Sequence, residues 1–321
     1  MTKGTFLRAN GKLLLTGEYL VLDGAKALSV PVVYGQTLEW LPKADGLISW
    51  RASDTNGVWF EAKYSTDSFT ILNASEDKTA SFIQKLLITA SHLSVGFPYQ
   101  NGMDIHTHLN FDRFLGLGSS STIIALIASL FNSDKYKLHS SVSEGSGYDI
   151  VSADVNHPIF YQKIDKSTAV YSNANFNPSF SKSLFFVYLG KKQDTNKEIS
   201  RYRLIKKDNL EYPLKTISEI SSKIVEVQEL VTFASLMEKH EQVIASVLDT
   251  TTIKEKLFSD FNGFIKSLGA WGGDFILTGS AEGEGYIKEY FRRKEIEVIY
   301  SYDDLVLNHK AYNDHESIIR F

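Results

Sequence analysis

The stretch FLGLGSSSTIIALIASL, residues 114–130, carries the strongest local signal in the chain. Gly116 and Gly118 allow the backbone to turn tightly and to approach a bulky anion, because neither residue has a Cβ atom. Three serines follow, and then an apolar run that we predict to be a buried helix over residues 122–131. The first amides of a helix, at the positive end of its dipole, bind phosphate well. The stretch therefore predicts either an anion-binding loop or a plain glycine-rich turn with a serine cap.

The sequence GLGSSS at residues 116–121 fits neither common nucleotide-binding pattern. It lacks the third glycine of GxGxxG, and no lysine follows it, as GxxxxGK[ST] requires. It resembles instead the second motif of the GHMP kinases, which include galactokinase, homoserine kinase, mevalonate kinase and phosphomevalonate kinase. In that family a glycine-leucine-glycine-serine-serine loop opens a long buried helix and holds the triphosphate of ATP.

The resemblance implies that ATP and Mg²⁺ are the cofactors and that this loop binds the phosphates. The predicted phosphate-binding residues are Gly116, Leu117, Gly118, Ser119, Ser120 and Ser121, with Ser120 close to the magnesium ion. Asp112 departs from the family pattern, which usually has proline four residues before the first glycine. The backbone leading into the loop is therefore expected to be shaped differently.

Residues 11–31, GKLLLTGEYLVLDGAKALSVP, are predicted to form a β-hairpin, with LLL and YLVLD as strands around a Thr-Gly turn. Taken alone, Lys12 and Glu18 would be two surface charges beside a hairpin. The combination of GK, GEY and VLDGA resembles the first GHMP motif and is most similar to phosphomevalonate kinases, with mevalonate kinases second. The resemblance implies that Lys12 is catalytic, beside the substrate hydroxyl, and that Glu18 and Tyr19 line the substrate pocket.

Residues 145–153, GSGYDIVSA, place two glycines and a serine before an aspartate. Such a loop can hold a carboxylate against a bound hydroxyl, although an aspartate after glycine more commonly forms an Asx turn or caps a helix. The segment resembles the one that carries the catalytic aspartate in GHMP kinases. Asp149 is therefore the predicted catalytic base, and Ser146, Gly147 and Tyr148 are predicted to contact the substrate.

Residues 267–280, SLGAWGGDFILTGS, combine small residues with an apolar strand. Small residues allow a backbone to approach a ligand or another backbone closely. The segment resembles the third GHMP motif, which packs beside the phosphate loop, and its GGD followed by a strand again favours phosphomevalonate kinase. Gly272 and Gly273 are predicted to contact the substrate.

Two further segments are similar to the family more weakly. Residues 235–248, SLMEKHEQVIASVL, resemble a helix of the mevalonate-pathway kinases, while His240 on the solvated face of an amphipathic helix is an equal interpretation. Residues 189–202 form a basic segment that would suit an already phosphorylated substrate, although a solvated charged turn is favoured. Its notable residues are Lys191, Lys192, Thr195 and Lys197.

The segment between Ser121 and Ser146 is shorter than in the family, where it usually includes a glutamate that helps to hold magnesium. Glu144 is the only carboxylate in the right neighbourhood and is, with Ser120, the predicted metal ligand. Magnesium could otherwise be held by Ser120, the phosphates and water, since this ion keeps several waters. The short segment also leaves open a fold that has lost its catalytic activity.

The strand-like sequence MDIHTHLNFDRF offers a competing metal site. Asp104, His106 and His108 alternate and would share one face of a strand, and an HxH pair can bind a divalent metal. Metal hydrolases need further ligands from later strands, and the remaining histidines show no matching arrangement. A polar strand face is the favoured interpretation.

Periodicity places helices over residues 78–93, 214–249 and 253–267, and strands over 57–64, 103–109, the SLFFVYLG run, GGDFILTG and EVIYSYDDLVL. This order indicates an α+β fold. The family resemblance implies the two-domain GHMP kinase fold, with an N-terminal ribosomal-protein-S5-like α/β domain and a C-terminal ferredoxin-like α/β sandwich. The predicted division is 1–165, the nucleotide-binding domain, and 166–321.

The length, charge and composition of the chain favour some classes of protein and argue against others. A length of 321 residues favours two domains, and a net charge of −4 argues against a dedicated nucleic-acid binder. No stretch has the length and apolarity of a membrane helix, and no secretory signal is visible, so a cytoplasmic protein is expected. The absence of cysteine excludes disulfides, thiolate metal sites and cysteine nucleophiles.

The predicted function is an ATP-dependent kinase that phosphorylates a hydroxyl or phosphate of a small acidic metabolite, phosphomevalonate first and mevalonate second. The predicted partner is a small-molecule substrate, with no nucleic acid and no membrane, and a homodimer is left open. Two alternatives keep the same fold: a diphosphomevalonate decarboxylase-like enzyme, and a catalytically silent small-molecule binding protein. The metal hydrolase ranks last.

Overall fold

The computed structural model describes most of the chain, and the described residues are 5–94, 101–190, 195–205, 209–269, 271, 274–308 and 317–320. Within them the chain forms two β-sheets. Their strands are β1 (Thr5–Thr16), β2 (Ala27–Pro42), β3 (Leu47–Asp54), β4 (Gly57–Ser65), β5 (Ile71–Ala74), β6 (Met103–Leu109), β7 (Ile159–Lys163), β8 (Thr168–Asn173), β9 (Leu184–Tyr188), β10 (Phe264–Leu268), β11 (Phe275–Gly279), β12 (Ile299–Ser301) and β13 (Ser317–Arg320).

The first sheet has nine strands in the order β13-β8-β7-β2-β6-β3-β4-β5, and β1 pairs with β2. Its described pairs are antiparallel except β3 with β6, which run parallel. The second sheet is antiparallel, in the order β10-β11-β9-β12. The predicted division at residues 165 and 166 stays a prediction; β8, which follows it, pairs with β7 in the first sheet.

The helices pack on both sheets. They are α1 (Asp77–Leu93), α2 (Ser119–Phe131), α3 (Lys135–Val142), α4 (Tyr148–Ser152), α5 (Thr195–Leu204), α6 (Glu211–Lys223), α7 (Leu230–Val247), α8 (Ile253–Leu257), α9 (Glu284–Arg293) and α10 (Tyr302–Leu305). Among the described residues, none of these helices has both the length and the apolarity needed to span a bilayer.

Helix α2 is buried because its sequence is apolar on nearly every side. Together with α1 and α3 it covers one face of the first sheet and forms a core with Trp50, Phe60 and Leu87. A second core lies where the two sheets meet and includes Val30 and Phe264. This arrangement places the start of α2 close to the junction of the two sheets.

The prediction of a second hairpin strand over YLVLD is wrong. Gly17, at φ 91°, turns the chain after β1, and Leu20–Asp23 then form a short 3₁₀ helix that ends at Gly24. The helical turn buries Leu20 and Val21, so an apolar run that resembles a strand finds its core contacts without a sheet. Strand β1 pairs instead with β2.

The prediction of one helix over residues 253–267 is also wrong. Helix α8 ends at Leu257, and β10 follows as a fully buried strand. The capping box of Thr252 and Glu255 starts α8, whereas Gly263 allows a backbone approach to Gly279 that a Cβ atom would block. The run EVIYSYDDLVL likewise gives β12 followed by the short helix α10. The helices predicted over 78–93 and 214–249 are confirmed, the latter as two helices.

Candidate active site

A cavity of about 870 Å³ lies beside the start of α2, a size typical of small-molecule sites. Its lining joins polar groups from several loops to aromatic side chains such as Trp50, Trp59 and Phe82. The polar groups come from both sheets, since Lys12 belongs to β1 and Asp274 directly precedes β11. The cavity therefore lies where residues from distant parts of the sequence meet.

The glycine-serine loop forms one wall of this cavity. Gly116 and Gly118 both have positive φ, at 74° and 96°, which side chains rarely allow. Gly118 caps α2, which starts at Ser119, three residues earlier than predicted. All residues of the loop line the cavity except Leu117, whose buried side chain packs in the core. The hydroxyl of Ser121 donates to Gly118 O at 2.8 Å and so holds the turn.

Lys12 lies directly behind this loop. Its backbone amide donates to the Leu117 carbonyl at 3.0 Å, and its side chain lies so close to Gly118 that a Cβ atom there would meet Lys12 Cε at 3.2 Å. Its Nζ lies 5.3 Å from the centre of the Tyr148 ring. Burial lowers the pKa of Lys12, but Tyr148 and the carboxylates of Asp149 and Asp274 raise it by more, so the net shift is upward. Lys12 is therefore a stable cation in the cavity.

Asp149 lies in the first turn of α4, which is capped by Gly147 at φ 92°. Its carboxylate lines the cavity, and its Oδ1 is 3.8 Å from Nε2 of the buried His139, a neighbour that the sequence pattern did not indicate. Because Asp149 helps to raise the pKa of Lys12, the two side chains interact electrostatically. The structure thus brings together the two residues predicted to be catalytic.

Three of the residues predicted to contact the substrate line the cavity with polar or aromatic side chains. They are Tyr19, Ser146 and Tyr148. The Ser146 hydroxyl is buried without a hydrogen-bond partner among the described residues. Tyr19 has an unusual φ of 59°, and its hydroxyl accepts a hydrogen bond from the Trp271 amide at 3.2 Å. Gly147 is not among the described lining residues, whereas Gly272 and Gly273 lie outside the described residues.

Glu18 lies at the cavity wall, but other side chains bury its carboxylate. Its carboxylate accepts a hydrogen bond from the ammonium of Lys266, and both side chains are fully buried. His240 lies on the other side, with Nε2 3.4 Å from Glu18 Oε2. Burial raises the pKa of Glu18 to about 7 although Lys266 opposes this effect. The interpretations of Glu18 as a surface charge and of His240 as solvated are therefore wrong.

Asp274 also lines the cavity, although the sequence pattern does not indicate it. Its carboxylate lies so close to Gly116 that a Cβ atom there would meet Asp274 Cγ at 3.0 Å. It also helps to raise the pKa of Lys12. The signal was present, because Asp274 ends the GGD of the third motif, but nothing local distinguished it from a turn residue.

The two predicted magnesium ligands lie in different surroundings. Ser120 is exposed at the cavity, whereas Glu144 pairs with Arg203 of α5 and is not among the described residues that line the cavity. Arg203 also donates to the Glu144 carbonyl at 3.2 Å. The role of Glu144 as a metal ligand stays a prediction.

The competing HxH site has no support in the described part of the chain. Asp104 pairs with Lys43 at 3.0 Å, and His108 Nδ1 lies 3.0 Å from the Ser53 hydroxyl. No group of three or more metal-ligating side chains occurs among the described residues. In the basic segment, Lys191 and Lys192 lie outside the described residues, and Lys197 is exposed on α5.

Solved structures show what this arrangement resembles. Neither a protein-family model nor a curated protein matches the sequence. Streptococcus pneumoniae phosphomevalonate kinase, in complex with phosphomevalonate and AMPPNP, has a TM-score of 0.70 at 17% identity, over 92% of this chain and 99% of that chain. Methanococcus jannaschii mevalonate kinase has a TM-score of 0.65 at 15% identity, over 96% and 99%.

Lactococcus lactis galactokinase, complexed with galactose, has a TM-score of 0.67 at 11% identity, over 98% of this chain and 95% of that chain. These structural neighbours are GHMP kinases, and the protein therefore has the α+β GHMP kinase fold that the sequence predicts. At such identities the likeness shows the fold alone.

Proposed function

We propose that this protein is an ATP-dependent kinase that transfers the γ-phosphate to a hydroxyl or phosphate of a small acidic metabolite. The observation that supports it most is that the loop opening α2, Lys12 and Asp149 line one cavity. Phosphoryl transfer needs mainly positioning and charge neutralisation. A helix N-terminus, a lysine and a carboxylate can supply both.

Each residue has a role in the proposed reaction. Amides at the start of α2 hold phosphate oxygens, and Lys12 neutralises charge on the acceptor oxygen and the transferred group. Asp149 orients the acceptor group and, where the acceptor is a hydroxyl, takes its proton as the new O–P bond forms. The bond from the γ-phosphorus to its bridging oxygen breaks, and ADP leaves.

Magnesium would be held at the polar side of the cavity. The available donors there are the Ser120 hydroxyl and the Asp149 and Asp274 carboxylates, all oxygen ligands of the kind that Mg²⁺ prefers. The ion would supply neutralisation of phosphate charge. Glu144 would have to leave Arg203 to join this set.

Phosphomevalonate is the first proposed acceptor and mevalonate the second. The first and third motifs resemble phosphomevalonate kinases, and one structural neighbour of this chain is such a kinase in complex with phosphomevalonate. Tyr19, Ser146 and Tyr148 would contact the acceptor, with Glu18 behind Tyr19. Gly147, Gly272 and Gly273 remain predicted contacts. A cytoplasmic location is part of the proposal.

The test is ADP release from ATP and Mg²⁺ with a panel of acceptors: phosphomevalonate, mevalonate, homoserine and galactose. We expect ADP release that depends on one acceptor, with a new phosphate ester or anhydride visible by ³¹P NMR. An Asp149→Asn variant run beside the parent shows that the activity belongs to this site. Carbon dioxide release with diphosphomevalonate would instead identify a decarboxylase.

A silent binding protein is the second candidate, and the ion pair of Glu144 with Arg203 favours it. That pair occupies the carboxylate predicted to help bind magnesium. Nucleotide or metabolite binding without any ADP release across the panel would establish this alternative and refute the kinase.

A further inference from the structure

Helix α7 contacts two elements that border the cavity through consecutive buried residues. His240 Nε2 accepts a hydrogen bond from the Gly17 amide at 2.9 Å. Glu241 accepts from the amide and the hydroxyl of Ser267, at 3.0 and 2.8 Å. Gly17 belongs to the turn after β1, and Ser267 belongs to β10. One helix therefore holds an element of each sheet.

A direct ion pair joins the same two elements. Lys266 of β10 donates to the carboxylate of Glu18, in the turn after β1, and also to the Ser267 carbonyl at 2.7 Å. Both charged side chains are fully buried. Removing one partner of such a pair leaves an uncompensated charge, so the contact is hard to open.

Both elements, the turn after β1 and strand β10, continue into residues that line the cavity. The turn continues to Tyr19, and β10 continues to Leu268 and Gly269. Tyr19 keeps a positive φ that a residue with a side chain adopts only when its surroundings impose it. Its hydroxyl also accepts from the Trp271 amide, which lies just beyond β10. The glycine-serine loop has none of these described contacts with α7.

We propose that His240, Glu241 and Lys266 are positioning residues that hold the Tyr19 turn and the end of β10 together as one acceptor wall, separate from the phosphate loop. That the wall faces an acceptor rests on the proposed kinase function. The mechanical link between the two elements does not, and the two parts are tested separately.

Hydrogen exchange measured by mass spectrometry tests the link in the unliganded full chain. In His240→Leu, amide exchange should speed up about tenfold both in residues 17–22 and in residues 266–271, because a buried hydrogen bond is lost and the wall opens locally. Exchange in residues 116–125 should stay unchanged. Acceleration confined to residues 17–22, or equal in all three segments, would refute a shared wall.

Matched variants separate positioning from general damage. His240→Gln keeps an acceptor for the Gly17 amide and should restore slow exchange in both segments. Gln242→Leu changes an exposed residue of the same helix and should behave as the parent. If His240→Leu does not fold, Ser267→Ala removes one hydrogen bond to Glu241 and should speed exchange in both segments by a smaller factor.

Binding and kinetics test the acceptor assignment. With phosphomevalonate as the probe, KM in His240→Leu should rise about tenfold, whereas the Kd of AMPPNP should change less than about twofold. Equal losses for both ligands would overturn the separation of the wall from the loop. If the parent phosphorylates no acceptor, the proposed function fails, while the exchange pattern still decides the link.

Discussion

Two lysines in this protein each lie beside two carboxylates, in opposite surroundings. Lys12 interacts with Asp149 and Asp274 at the cavity, where the Asp149 side chain is 27% exposed. Lys266 interacts with Glu18 and Glu241 in a cluster where both the lysine and Glu18 are 0% exposed. The first set, which we call the open cluster, can meet a ligand, whereas the members of the second set, the sealed cluster, contact one another away from solvent.

The pKa shifts follow from this difference. At the cavity the neighbours of Lys12 overcome the effect of burial and raise its pKa, so its charge persists. In the sealed cluster burial is the stronger effect and raises the pKa of both Glu18 and Glu241 despite Lys266. Residue type alone thus does not separate charges that can meet a ligand from charges that stabilise the fold; exposure at the cavity does.

The largest effect is expected from Asp149→Asn in the open cluster. Replacing a general base commonly slows turnover about 10²- to 10⁴-fold. Measured without Mg²⁺, the Kd of AMPPNP should stay close to that of the parent, because the loop at α2 is untouched. Rapid-quench measurement of ADP formation checks the first expectation and calorimetry the second. Turnover equal to the parent's would reject the assigned role.

In the sealed cluster, Lys266→Met should act on stability. Losing one member of a buried ion pair costs about 3–5 kcal/mol. The loss should be greatest at pH 8, where Glu18 of the parent is charged and paired with Lys266, because without Lys266 the buried carboxylate must either stay charged alone or take up a proton. At pH 5 a proton on Glu18 should reduce this loss. Urea unfolding at both pH values gives the free energies.

Lys288→Met is the matched control for this prediction. Lys288 pairs with Glu284 on the surface of α9, with 47% of its side chain exposed, and such pairs contribute at most about 1 kcal/mol. If the two variants lose similar stability, the sealed pair has no special role.

The parent itself should show the titration of Glu18. The pKa of Glu18 in the folded protein, about 7, lies above its ordinary value of 4.5, so the folded state binds a proton more tightly than the unfolded state. This contribution to stability is complete below about pH 4.5 and is lost as pH rises through about 7, amounting to at most about 3 kcal/mol. Unfolding free energies of the parent minus those of Glu18→Gln, measured from pH 4.5 to 8, should decline across this window. A flat difference would contradict it.

A smaller effect is expected from Gly118→Ala in the glycine-serine loop. Its φ of 96° disfavours alanine, and the new Cβ would lie 3.0 Å from Ser121 Oγ and 3.2 Å from Lys12 Cε. The backbone strain costs about 1–2 kcal/mol, and displacement of Lys12 should weaken AMPPNP binding. Gly46→Ala shares the positive φ, at 69°, but its Cβ would meet nothing within 4 Å. It should lose stability and keep nucleotide affinity.

Much of the fold was predictable because apolar residues recur at different spacings in its helices and its strands. The buried helix α2 and the amphipathic α1 followed from their spacing of apolar residues. The 3₁₀ helix at Leu20–Asp23 was not predictable from its local sequence. Its apolar residues Leu20 and Val21 are buried by contacts with other parts of the fold. Strand β10 was missed because a buried lysine, Lys266, interrupts its apolar run and imitates a helical pattern.

The candidate site was predictable where the chemistry is local. A loop with two glycines and three serines can be recognised from a single sequence. Asp274, His139 and the partner of Glu18 could not be recognised in this way, because their roles depend on contacts across 100 residues or more of sequence or on a neighbouring helix. The pKa of Glu18 is set mainly by its burial, and burial is a property of the assembled fold.

Glu144 gives the smallest predicted effect and the sharpest test of the loop before Asp149. Its side chain is 67% exposed and pairs with Arg203, which is 48% exposed, so Glu144→Gln should change the free energy of unfolding by less than about 1 kcal/mol. Because Ser120, Asp149 and Asp274 provide oxygen ligands without it, the Mg²⁺ concentration for half-maximal ADP release should also stay the same. Arg203→Gln is the control, since it breaks the same pair and leaves the carboxylate. A raised Mg²⁺ requirement in Glu144→Gln but not in Arg203→Gln would show that Glu144 leaves its partner and binds the metal. Glu144 would then belong to the open cluster rather than to the surface.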